Sequence, residues 1–109
     1  MNKKLTFTYK GKEYTLEYTR KSIQTMERQG FVVSDMDTKP LSTLPQLFAG
    51  AFLANHRFTQ KDTIDEIYEH LTDKKELVGK LAEMYAEPIN AMLDDPEDPE
   101  GNVTWTASF

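Results

Sequence analysis

LTFTYKGKEYTLEYT, residues 5–19, decides the fold. Leu5, Phe7 and Tyr9 alternate with Thr6, Thr8 and Lys10, and Tyr14, Leu16 and Tyr18 alternate with Thr15 and Glu17. A period of two puts each apolar trio on one face of a strand. Lys10-Gly11-Lys12 lies between the runs, and Gly11 can take the positive φ that a tight turn needs. The stretch therefore reads as a β-hairpin. A lone hairpin is marginal in water, so its apolar face must cover helices or pair with another strand.

The next residues supply the helices. Thr19 is a candidate N-cap for a helix over 20–29, with Ile23 and Met26 facing inward. Gly30 stops it, and Phe31 falls where a Schellman ending brings it onto Met26. Val32 to Pro40 lacks a helical repeat and reads as a loop. A second helix is expected from about Ser42, with Pro45 in its first turn and Leu44, Leu47, Phe48, Ala51, Phe52 and Ala54 following. It is apolar almost all round, so it should be the central helix. Gly50 in its middle implies a close approach by a neighbouring element, since Gly costs about 1 kcal/mol against Ala there. A third helix opens at Thr59, with Asp62 in a capping-box position, and carries Ile64, Ile67, Tyr68 and Leu71. A fourth opens at Asp73, with Glu76 in the matching position, and carries Leu77, Val78, Leu81, Met84, Tyr85, Ile89 and Met92. Pro88 should kink it or end it early. The fold class is α+β and mainly helical: an N-terminal hairpin packed on about four helices within residues 1–93.

Beyond Leu93 the composition changes. Residues 94–102 hold Asp94, Asp95, Glu97, Asp98 and Glu100 with Pro and Gly and no apolar side chain, as an acidic flexible linker would. Of the 18 acids five lie here, and the other 13 balance the 13 bases, so this segment accounts for the whole net charge of −5. Residues 1–28 form a weakly basic front, read as a solvated hairpin surface. After the linker, Val103, Trp105, Ala107 and Phe109 alternate with Thr104, Thr106 and Ser108, a strand-like pattern. Two readings stand for this segment: a last strand on its own hairpin, or β-augmentation of a neighbouring molecule. Likewise the linker is either a soluble spacer or an electrostatic arm that holds a basic surface and weakens with salt. Val103, Trp105 and Phe109, with the five acids of the linker, are the candidate partner-binding residues.

Chemistry finds little to work with. The absence of cysteine excludes disulfides and thiolate metal sites and suits a reducing compartment. There is no apolar signal segment after the N-terminus, and Leu47 to Ala54 is far too short to span a bilayer. His56 and His70 sit on different expected elements without metal-site spacing, and read as surface or helix-end histidines. No nucleophile elbow occurs, and the glycines at 11, 30, 50, 79 and 101 never cluster into a phosphate loop. Asp62, Asp65, Glu66 and Glu69 fall opposite the apolar stripe of the third helix, where water should keep them ordinary carboxylates. No basic stripe for nucleic acid is visible. The expectation is a non-enzymatic module that binds proteins and uses no cofactor.

The run YTLEYTRKSIQTMERQGF, residues 14–31, carries a resemblance. A strand ending in Leu-Glu-Tyr-Thr-Arg, a helix with Met-Glu and then Gly-Phe is similar to the tail assembly chaperones of long-tailed bacteriophages and prophages of Gram-positive bacteria. The likeness continues through Leu44 to Phe48 and on to the acidic segment and Trp105. It implies a helper of tail assembly in the host-cell cytoplasm that coats the tape measure protein, recruits tail tube subunits and can self-associate. A virion component such as a head–tail connector, and an acidic inhibitor of a host DNA-binding protein, are the alternatives weighed beside it.

Overall fold

A computed structural model describes residues 3–94 and 103–109. β1 (Leu5–Tyr9) and β2 (Lys12–Leu16) form a two-stranded antiparallel sheet with Leu5 opposite Leu16, Phe7 opposite Tyr14 and Tyr9 opposite Lys12. Lys10 and Gly11 make the two-residue turn, with φ of 50° and 78°. Two successive positive φ values are the mark of a type I′ turn, whose twist matches that of the strands.

The chain then passes into α1 (Arg20–Arg28). Thr19 caps it: its hydroxyl accepts from the Ser22 N–H at 3.0 Å, and Ser22 Oγ accepts from the Thr19 N–H at 2.8 Å. Its end is the expected Schellman motif. Gly30 has φ of 95°, its N–H bonds Glu27 O at 3.0 Å, and the Phe31 N–H bonds Met26 O at 3.0 Å.

Residues 32–40 depart from the expected loop. A 3₁₀ turn covers Val33–Met36, and α2 spans Pro40–Gly50. Pro40 takes the first helical position, where its missing N–H has no partner to lose. Pro45 therefore lies inside the helix and not in its first turn. The carbonyl it fails to meet belongs to Leu41, which is exposed, so water can serve it. α2 also stops sooner than expected, and residues 51–55 continue as turns.

α3 (Lys61–His70) opens with Gln60 at the N-cap, and Thr59 makes no capping box. α4 (Lys74–Ala91) has Asp73 at its N-cap as expected, but in the left-handed region with no side-chain cap bond. The corner is held from the other side: Lys74 Nζ donates to Leu71 O at 2.7 Å and to Glu69 O at 3.3 Å, a cation on the final carbonyls of α3. α4 runs through Pro88 without ending early.

α2 is the central helix, packed against α1, α3, α4 and the 3₁₀ turn. Tyr18, Phe48, Phe52, Leu16, Met26, Leu47, Ile67 and Leu81 are the largest fully buried side chains. An aromatic chain runs from the hairpin to α3, from Phe7 to Tyr14, Phe52, Phe48 and Tyr68, with ring centroids 5.1–5.8 Å apart. Gly50 shows the close approach its sequence position implies: a Cβ there would stand 2.4 Å from Met26 Sδ. Among the described residues no helix is long and apolar enough to cross a membrane. Residues 103–109 form no strand in this structure.

Candidate interaction surfaces

The segment after α2 organises the first surface. β2 is two-sided, and its outer edge would present bare backbone groups. The Thr15 N–H instead donates to His56 Nε2 at 3.0 Å, Asn55 Nδ2 donates to Thr15 O at 3.2 Å, and the Glu17 N–H donates to Ala51 O at 3.2 Å. Because Nε2 accepts, His56 is a neutral imidazole with its proton on Nδ1. Burial, and then the charge of Lys12, hold its pKa below the ordinary histidine value. Its ring lies 5.1 Å from that of Tyr14, so it is a wall of the fold and not a free surface histidine. Glu17, expected on the open face of the strand, is buried at 7%, with Asn55 Nδ2 at 2.8 Å and Lys4 Nζ at 3.7 Å from its carboxylate.

From that segment Arg57 and Phe58 project outward. Phe58 is 88% exposed, and the Arg57 guanidinium lies 5.2 Å from its ring centroid. Three depressions meet at Arg57. The first has a volume of about 300 Å³, with buried Met26, Phe31, Phe52 and Ile64 on its inner side and exposed Arg57 and Lys61 at its rim. The others add Lys12, Lys21 and Arg28, and no acidic side chain lines any of the three. None of these five cations is in an ion pair among the described residues. The sequence shows Lys12, Lys21 and Arg28 as part of the weakly basic front over residues 1–28, but does not join Arg57 and Lys61 to them. The hairpin end, α1 and the start of α3 bring them to one face around an exposed aromatic. That combination of Arg, aromatic and apolar hollow is what protein interfaces are enriched in.

A second, apolar groove of about 320 Å³ lies between the 3₁₀ turn and the end of α4, lined by Val33, Met36, Leu47, Tyr85 and Ile89. The last turn of α4 overshoots the core, so Ile89 and Met92, expected in the apolar stripe, are exposed, as is Leu93.

The residues singled out from sequence fall as follows. Val103, Trp105 and Phe109 are exposed, at 90%, 83% and 112%. Asp94 is exposed beyond the end of α4. Asp95, Glu97, Asp98 and Glu100 lie outside the described residues. The structure therefore does not bring the terminal apolar residues onto the fold.

The carboxylates of α3 behave differently from one another. Asp62, Asp65 and Glu69 are exposed, as expected. Glu66 is not an ordinary solvated carboxylate: it accepts from the Tyr9 hydroxyl at 2.6 Å and pairs with Lys10 Nζ at 3.2 Å. Those two donors lower its pKa, and the same contact pushes Tyr9 up to about 12. The pair pins the tip of the hairpin to α3. His70 ends α3, with Nδ1 2.9 Å from Glu66 O. Among the described residues no group of three metal-ligating side chains comes together.

No curated protein and no solved structure matches this chain. One family model does, over residues 1–109, and its description is Domain of unknown function (DUF5055). The chain therefore belongs to the DUF5055 family.

Proposed function

We propose that this chain is a non-enzymatic tail assembly chaperone of a long-tailed bacteriophage or prophage, which binds the tape measure protein, tail tube subunits or both in the host-cell cytoplasm. The supporting observation is the near-complete exposure of Phe58, Val103, Trp105 and Phe109, to which Leu41 and Leu93 add further uncovered apolar surface. Large apolar side chains held in water favour a partner that covers them. The Arg57 face supplies the polar rim that such a contact needs. The resemblance of residues 14–31 supplies the biological context. Catalysis is not needed for this role, and it needs no cofactor.

The test is co-expression with fragments of a tape measure protein. The full chain should co-purify, and the chain lacking 103–109 or carrying Arg57→Glu should lose most of the bound fragment. Equal recovery with all three forms would remove these surfaces from the role. A head–tail connector also needs sticky surfaces, and mass spectrometry of finished particles separates the two, because a chaperone is absent from them. The inhibitor reading is disfavoured by the charge layout, since a DNA mimic needs acids spread over a folded surface and the net negative charge lies in the one stretch from Asp94 to Glu100.

A further inference from the structure

The hairpin has one covered edge and one open edge. Thr15 sends its N–H and C=O away from β1, to His56 and Asn55. Thr6 and Thr15 face each other in the register, so theirs is a non-hydrogen-bonded pair, and Thr6 points its own N–H and C=O outward on the other side. Thr8, two residues on, does the same. Among the described residues nothing bonds these groups. Natural edge strands are blunted by charge, Pro or a bulge. Leu5–Tyr9 contains none of these. Its apolar face is also unfinished: Leu5, Phe7 and Tyr9 are half-buried, whereas Tyr14 and Leu16 on β2 are buried.

We propose that the β1 edge accepts residues 103–109 of a second copy of this chain as a third strand. The pattern fits both faces at once. Val103, Trp105, Ala107 and Phe109 would lie beside Leu5, Phe7 and Tyr9 and complete the apolar face. Thr104, Thr106 and Ser108 would lie beside Thr6 and Thr8, and cross-strand threonine pairs are favourable. Seven residues are enough to cover the five of β1. Charge agrees at the turn: the donor segment follows Asp94, Asp95, Glu97, Asp98 and Glu100, and Lys12 beside the acceptor strand is in no ion pair among the described residues, whereas Lys3, Lys4 and Lys10 already face Glu83, Glu17 and Glu66. In the structure the chain's own segment forms no strand and is exposed, which leaves the β1 edge open to the segment of another molecule. Each copy offers one donor and one acceptor, and such a contact is head-to-tail. The proposal deepens the binding reading above but rests only on the hairpin and this segment, so it stands or falls without any tail protein.

Light scattering on the full chain over a concentration range should show mass rising well above that of one chain. Thr6→Pro removes only an outward N–H, so the hairpin keeps its bonds and the acceptor is lost. Trp105→Ser with Phe109→Ser removes the donor at exposed positions, where the core cannot be disturbed. Each variant alone should associate at least tenfold more weakly. Mixed in equal amounts, the two should form a one-to-one pair that grows no further, because each retains what the other lacks. A full chain that stays a single molecule at all concentrations overturns the proposal, as does a donor-side variant with unchanged mass. If Thr6→Pro alone fails to fold by circular dichroism, Thr6→Glu with Thr8→Glu, which places like charge against the acidic donor, replaces it as the acceptor-defective partner. A mixture that does not recombine, or a monomer whose own segment is protected from hydrogen exchange, also overturns it.

Discussion

Met26 and Gly50 show how a single atom sets the distance between two helices. Met26 is buried at 2% and lies across Gly50, at the end of α2. Replacing Gly50 by Ala brings a helix-propensity gain of up to about 1 kcal/mol. It also drives a methyl group into the end of the buried Met26 side chain, which must shift toward the hollow it lines, an overpacking that costs about 1–3 kcal/mol. The second effect should win, and Gly50→Ala should lower stability by about 1–2 kcal/mol in urea unfolding. The sign should reverse in a Met26→Ala background. That variant alone costs about 2–5 kcal/mol, but it leaves the space that the new methyl fills. A Gly50→Ala effect of the same size in both backgrounds would mean that Met26 is not the obstacle. The glycine was legible in the sequence as a close approach; its opposing atom was not, because Met26 reaches it only through tertiary packing.

At the scale of elements, the hairpin is fastened at both ends by titratable groups, and acid should loosen them in sequence. His56 must stay neutral to accept the Thr15 N–H. Its folded pKa is lowered, so the unfolded chain binds the proton more readily, and stability falls as pH drops below about the ordinary 6.5. The loss levels off once the folded-state pKa has been passed. His56→Gln, which keeps an acceptor, should flatten this part of the curve, and His56→Leu should cost about 1–3 kcal/mol at neutral pH by leaving the N–H unmet. Glu66 acts lower down. Its pKa is lowered by Tyr9 and Lys10, so its contribution is present above the ordinary 4.5 and is lost as pH falls through the folded value. Tyr9→Phe should shrink that second step and leave the first intact, as read from thermal unfolding across pH. Elements whose signals are local were readable beforehand: the alternating strands, the Thr19 cap and the Gly30 ending each depend on residues a few positions apart. The capping boxes expected at Thr59 and Asp73 were not: Asp73 does hold the N-cap of α4 but without a side-chain bond, Gln60 replaces Thr59, and Lys74 reaches back from α4 to close α3. Pro45 and Pro88 misled for a related reason. A missing helix bond is cheap to tolerate where packing on the core holds the rest of the helix.

Across the whole molecule, charge is divided between a cationic face and an anionic segment; the sequence shows the second whole and the first only in part, as the basic front over residues 1–28. The acids are clustered, five in the seven residues from Asp94 to Glu100. Lys12 on β2, Lys21 and Arg28 on α1, Arg57 in the segment after α2 and Lys61 at the start of α3 converge only when these parts are packed together. Such a face should attract an acidic peptide with an aromatic anchor, the side chain entering the hollow beside Phe52 and the acids resting on the rim. Its strength should depend on salt, because exposed charges are screened over about 10 Å at 0.1 M and about 3 Å at 1 M. With a labelled peptide of six glutamates and one tryptophan, binding to the full chain should weaken by roughly tenfold between those two conditions. Arg57→Glu with Lys61→Glu should abolish binding at low salt. Both positions are exposed, so the melting temperature should be almost unchanged. Binding that ignores salt but fails on Phe58→Ser would place the energy in the aromatic contact instead. Binding that survives every one of these changes would show that the cations, although gathered on one face, are only its solvated surface.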